Sequence, residues 1–171
     1  MNPLFDRAIA KQEADLGVPM EYLRKIADNS TRAFLKFGMF SSLALHRKAT
    51  SPEVWHLARL AATHVQDCGT CVQVVVNAAL SEGVAPDLIR AALGGDELAS
   101  DHQLAVDYGQ AVSSNSHDVP ALVEQVRERW GEEALNELAL AVATAQVFPV
   151  VKRGMGLAVA CSLVQVDVGD R

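Results

Sequence analysis

"TSPEVWHLARLAATHVQDCGTCVQVVVNAAL", residues Thr50 to Leu80, reads as two helices separated by a short break. Ser51 has the side chain of an N-cap, Pro52 suits the first helical position, and Glu53 meets the positive end of the helix dipole. These signals predict a helix over about 52 to 66. Asp67 is positioned to cap a second helix starting at Cys68, so the two cysteines fall in its first turn. Helix, break, helix is the grammar of an all-α chain, and the same punctuation recurs on both sides.

Downstream, "EGVAPD" breaks the second helix, and "PDLIRAAL" makes a short third one that Gly94 and Gly95 end. "SDHQLAVDYGQAV" follows, with a capping box of Ser100 and Gln103 and one apolar face of Leu104, Tyr108, Ala111 and Val112. "VPALVEQVRERWG" turns Leu122, Val123, Val126 and Trp130 inward. "EEALNELALAVATAQVF" is almost wholly apolar up to Pro149, which predicts a helix that is central, kinked or covered by a partner chain. Gly154 and Gly156 then offer close helix packing. Alternating strand patterns are rare, and no repeat or low-complexity segment is present. Residues 1–29 read as a helical arm added to a domain over 30–171.

The chain has 171 residues, half of them hydrophobic, which suffices for one domain with its own core. A net charge of -6 leaves no basic stripe for phosphates, which argues against nucleic acid and anionic membranes as partners. The apolar run "LALAVATAQVFPVV" is shorter than the roughly 20 residues of a membrane span and is closed by Lys152 and Arg153. Charges interrupt "MNPLFDRAIAKQEADLG" throughout, unlike a secretory leader. With three cysteines, an odd number, the expected address is the reducing cytoplasm. There a close cysteine pair serves catalysis or metal binding more often than a structural bridge.

Three readings of Cys68 and Cys71 are open. At a helix N-terminus, unpaired N–H groups and the dipole favour thiolate, so the pair can attack an oxidant and close a disulfide. Alternatively the two are small apolar-like residues in a helical core. A third reading is a zinc site of His64, Cys68 and Cys71, with His56 or Glu53 as the fourth ligand. Glu53, His56, Leu60 and His64 follow at spacings that stack them along one helix face, which makes His56 and His64 the candidate proton carriers for the thiols. His46, His102 and His117 read as solvated, Cys161 as a packed thiol, and Trp55 and Trp130 as packing anchors. Nothing resembles a phosphate loop, a nucleophile elbow or a dinucleotide fingerprint, and no bound cofactor or resident metal is expected.

"WHLARLAATHVQDCGTCVQVVVNAAL", with "GVAPDLIRAALGG", "DHQLAVDYGQAV" and "LNELALAVATAQVFPVVKRGMGLAVA" after it, resembles the carboxymuconolactone decarboxylase and alkylhydroperoxidase AhpD-like family over about residues 30 to 165. The resemblance implies a helical bundle assembled into trimers or dimers of trimers, and a thiol-dependent peroxidase or disulfide oxidoreductase. By it, Cys71 is the nucleophile and Cys68 the resolving thiol, with a peroxide as substrate and a dithiol as reductant. Two positions depart from the family pattern. The Glu twelve residues before the first cysteine is His56 here, and the His four residues after the second is Val75. Val75 cannot accept a proton, so His56 or His64 is expected to take over that task. The altered relay also favours a non-enzymatic oligomer with a structural or redox-sensing disulfide. A lactone decarboxylase is the remaining alternative, and the cysteine pair counts against it.

Overall fold

In a computed structural model, residues 2–161 and 165–169 are described. The far end of the expected 30–171 domain and the opening Met1 of the expected arm lie outside these residues. Among the described residues there are eight α-helices and no strand, in keeping with the all-α expectation.

α4 (Pro52–Val65) is the axis of the fold. Ser51 caps it as expected, its hydroxyl accepting from the Val54 amide at 3.3 Å. Nine of its residues are buried, from Val54 to Thr63, because neighbours pack against it on several sides. On one side stand α7 (Ser100–Ser114) and α8 (Val119–Gly154), which close a core of Trp55, Leu57, Ala58, Tyr108, Leu138 and Val142. On another, α5 (Gly69–Ser81) and α6 (Pro86–Gly94) enclose Leu60, Val72, Val76 and Ile89.

The first three helices form a layer with its own apolar cluster. α1 (Pro3–Leu16), α2 (Glu21–Asn29) and α3 (Thr31–Leu43) bury Ile9, Met20, Tyr22 and Leu23. This layer is also welded to the rest. Phe37 stacks edge-on to Phe148 of α8 at 5.7 Å, and Asn77 of α5 donates to the Leu16 carbonyl at 2.7 Å.

The loop before α4 is held by one buried acid. The Glu137 carboxylate of α8 accepts from the amides of Lys48 (2.5 Å), Ala49 (2.8 Å) and Thr50 (3.1 Å) and from the Thr50 hydroxyl. Burial works against the charge, yet these hydrogen bonds hold the carboxyl below its ordinary pKa.

Four details correct the sequence reading. Asp67 does not cap α5. Cys68 is itself the N-cap residue, while Asp67 takes a left-handed backbone (φ 48°) and its carboxylate accepts from the Cys161 amide at 2.8 Å. Ser100 and Gln103 form no capping box, because the N-cap of α7 is Ala99 and Gln103 instead donates to Asp107 one turn on. The two helices read on either side of Gly131 do meet at a break there (φ 86°, ψ 174°), a backbone conformation that glycine alone adopts freely, but the second does not end before Pro149 and runs through it, buried, to Gly154. Packing of Phe148 and Val151 into the N-terminal cluster offsets the hydrogen bond that the proline removes. Its apolar window is long enough to cross a membrane by length and composition, and half of it is buried within the fold.

The close helix approach lies at Gly109, whereas a side chain at Gly154 or Gly156 would meet nothing within 4 Å. A Cβ on Gly109 would stand 2.2 Å from the Ala58 carbonyl oxygen, so α7 touches α4 backbone to backbone. Gly109→Ala is expected to cost about 3 kcal/mol or more, since neither backbone has a flexible end to give. Urea denaturation of the purified variant checks this.

Candidate active site

The break between α4 and α5 places Cys68 at the α5 N-cap and Cys71 in its first turn. The C-terminal segment supports this start from outside. The Val159 carbonyl accepts from the Gly69 amide at 2.9 Å, satisfying one of the first amides of α5. Both cysteines are buried free thiols. Cys68 is fully enclosed, whereas Cys71 lines a cavity of about 110 Å³ roofed by Leu16, Met20 and Tyr22 from the N-terminal layer.

The two thiols share one proton unequally. The Cys71 thiol donates toward Cys68, the Thr70 hydroxyl and the Cys71 amide also face it, and the Lys152 ammonium adds a favourable field. Together these outweigh burial and draw the Cys68 pKa down to about 5. Cys71 is pushed the other way, first by serving as that donor and then by burial. The two shifts run in opposite directions, Cys68 toward thiolate and Cys71 toward the protonated thiol, and Cys71 is the one that a molecule in the cavity meets.

Lys152 is brought here because α8 continues past Pro149. Buried to 6% exposure, its ammonium donates to the Thr70 hydroxyl at 3.1 Å and lies 5.2 Å from the Tyr22 ring centroid. Thr70 in turn sits 3.7 Å from the Cys68 sulfur. Tyr22 holds its proton tightly, mainly through burial. α4 contributes Arg59 and Thr63 to the cavity wall, and α5 contributes Val74 and Val75.

Neither expected histidine is part of this wall. Eight residues of helix turn a side chain by about 80° relative to the first, so His56 and His64 do not share a direction. His64 is exposed at the end of α4. His56 is 1% exposed, edge-on to Trp55 and 3.4 Å from the Glu82 carboxylate of α5's C-cap. The charge acting on the thiols comes from Lys152 rather than from either imidazole. The zinc reading fails for the same reason: no group of three or more potential ligands assembles among the described residues. Val75 stands on the cavity wall and leaves the position one turn beyond Cys71 without a proton carrier.

Sequence reasoning missed Arg59, Thr70, Tyr22 and Lys152. Arg59 alone carried a signal, as a single cation within the apolar run "WHLARLAA". Cys161 is half-buried beside the α5 start, its thiol raised by burial and by Asp67.

Compared with protein families, curated proteins and solved structures, the chain shows no match.

Burial and the neighbouring Arg59 charge press the His56 pKa down to about 4, with Glu82 opposing them. In the unfolded chain this imidazole takes up its proton near 6.5, so acidification below that value favours unfolding until the folded form also protonates. Stability is expected to fall by about 2 kcal/mol from pH 6.5 to 4.5. His56→Gln should flatten the loss, as measured by urea denaturation across that range.

Proposed function

We propose that this protein is a thiol-dependent peroxidase or disulfide oxidoreductase that cycles Cys68 and Cys71 between dithiol and disulfide. The observation that carries the reading is the pair itself: Cys68 at the α5 N-cap, with Thr70 and the buried Lys152 beside its sulfur, next to a Cys71 that opens onto a roofed cavity. A purely structural pair has no need of a buried lysine or of a cavity at one sulfur. The resemblance to AhpD-like proteins points the same way.

The arrangement supplies a base where the resembled family has histidine. As a hydroperoxide enters, Cys71 passes its proton to the Cys68 thiolate and attacks the terminal peroxide oxygen. The O–O bond breaks, leaving a sulfenic acid on Cys71, and the departing alkoxide takes the proton back from Cys68 to leave as an alcohol. The regenerated Cys68 thiolate then attacks the Cys71 sulfur, forms the disulfide and expels hydroxide, which solvent protonates. A dithiol reductant restores the pair by exchange. The single ammonium of Lys152 accompanies the negative charge through each step.

We further propose that the active form is a homo-oligomer, a trimer or a dimer of trimers, in the cytoplasm. Leu140 and Val150 of α8, with Met39, Leu43 and Leu45 near α3, are exposed apolar side chains suited to a second copy.

Stopped-flow oxidation by hydrogen peroxide and an alkyl hydroperoxide, followed by mass spectrometry, tests the chemistry. The parent is expected to yield a Cys68–Cys71 disulfide. Cys71→Ser should lower the rate by at least about a hundredfold, and Val75→His should raise it by placing a base on the cavity wall. His56→Ala should leave it within about twofold, because the imidazole lies outside that wall. Thiols that stay reduced under excess oxidant would leave the non-enzymatic reading in place. The rate should also fall with pH through about 5 as the Cys68 thiolate is protonated, a midpoint that Cys71→Ala should move upward when thiolate absorbance is followed.

A further inference from the structure

The thiol chemistry leaves one buried charge unused. Arg59 is 6% exposed and lines the cavity, and two of its guanidinium nitrogens, Nε and Nη1, have no hydrogen-bond partner among the described residues. The guanidinium lies over the Trp55 ring at 4.1 Å from the centroid. That contact satisfies the flat face of the group and leaves its in-plane N–H donors unspent. Burial lowers its pKa only to about 10, so it stays charged at neutral pH. Glu82 adds a favourable field there, but its own carboxylate is engaged by Arg47 and faces His56.

Charge in the cavity is out of balance. Two buried cations line it, Arg59 and Lys152, and among the described residues no aspartate or glutamate does. Lys152 is matched by Thr70 and by the Cys68 thiolate. Nothing on the wall matches Arg59. An unpaired buried guanidinium costs several kcal/mol, and an incoming carboxylate, binding it through two parallel hydrogen bonds, removes that penalty. Most of the remaining wall is apolar, with Leu16, Met20, Val74 and Phe148, which suits a hydrocarbon body, while Gln12, Tyr22, Ser41 and Thr63 add polar side chains to it.

We propose that this cavity binds a monocarboxylate with an apolar body, its carboxylate on Arg59 and its body packed beneath the N-terminal layer. If the thiol-peroxidase reading holds, the natural substrate class follows from it: an organic hydroperoxide that also carries a carboxylate, anchored by Arg59 with its peroxide at Cys71. The binding itself does not depend on that reading.

Calorimetric titration of the reduced full-length Cys71→Ser protein with octanoate, and in parallel with neutral octanamide, tests the proposal without any turnover. Octanoate is expected to bind at least about tenfold more tightly than octanamide. Arg59→Gln should remove that preference, and Arg59→Lys should retain part of it. As a check that does not require the arginine variants to fold, Trp130→Phe leaves Trp55 as the sole tryptophan, and its emission should change on octanoate addition because the carboxylate draws the guanidinium off the ring. Equal affinity for acid and amide, or a carboxylate preference that survives Arg59→Gln in a folded protein, overturns the proposal, as does a silent Trp55. Octanoate binding without peroxide turnover would remove the peroxidase reading and leave this one standing, and turnover without binding would do the reverse.

Discussion

The contact of Gly109 with the Ala58 carbonyl sets α4 in the middle of the molecule, and much else depends on it. With a backbone against one face, α8 across another and α5 and α6 on a third, α4 has almost no side that reaches water. Its polar residues His56, Arg59 and Thr63 are therefore buried. His56 is driven into its neutral form, Thr63 returns its hydroxyl to the Arg59 carbonyl, and Arg59 is left with a tryptophan face and open donors. The electrostatic character of the cavity follows from this crowding rather than from the α5 motif alone.

The second determinant is the path of α8. Continuing past Pro149 keeps Lys152 in helical register, so that its ammonium reaches Thr70. Two cations thus line one cavity from two different helices, and the N-terminal layer closes the space above them. That layer is more than an added arm, because Tyr22 and Met20 form part of the cavity wall while also sealing their own cluster.

This enclosure bears on how the thiols share their proton. In an open cysteine pair the first residue at a helix start is both the thiolate and the accessible sulfur. Here those two properties fall on different residues: Cys68, behind the helix start, is the one shifted toward thiolate, and Cys71 faces the cavity. In the proposed cycle this split gives Cys71 a neighbouring base of its own kind, where Val75 supplies none.

What the sequence by itself determined is local. Helix α4 begins at Ser51 and Pro52, α6 ends at its glycines, the faces around Tyr108 and Val126 are buried, and the cysteines sit at a helix start. Each depends on residues a few positions apart, through capping, φ restriction or periodicity. What only the tertiary structure decided is which side chains share a space. His56 and His64 read as one stripe because spacings of three and four look aligned in sequence, but the angular remainder accumulates and the packing of α7 against Ala58 selects Arg59 and Thr63 to face the cavity instead. Lys152 and Tyr22 arrive from opposite ends of the chain, and no spacing rule links residues brought together by burial alone.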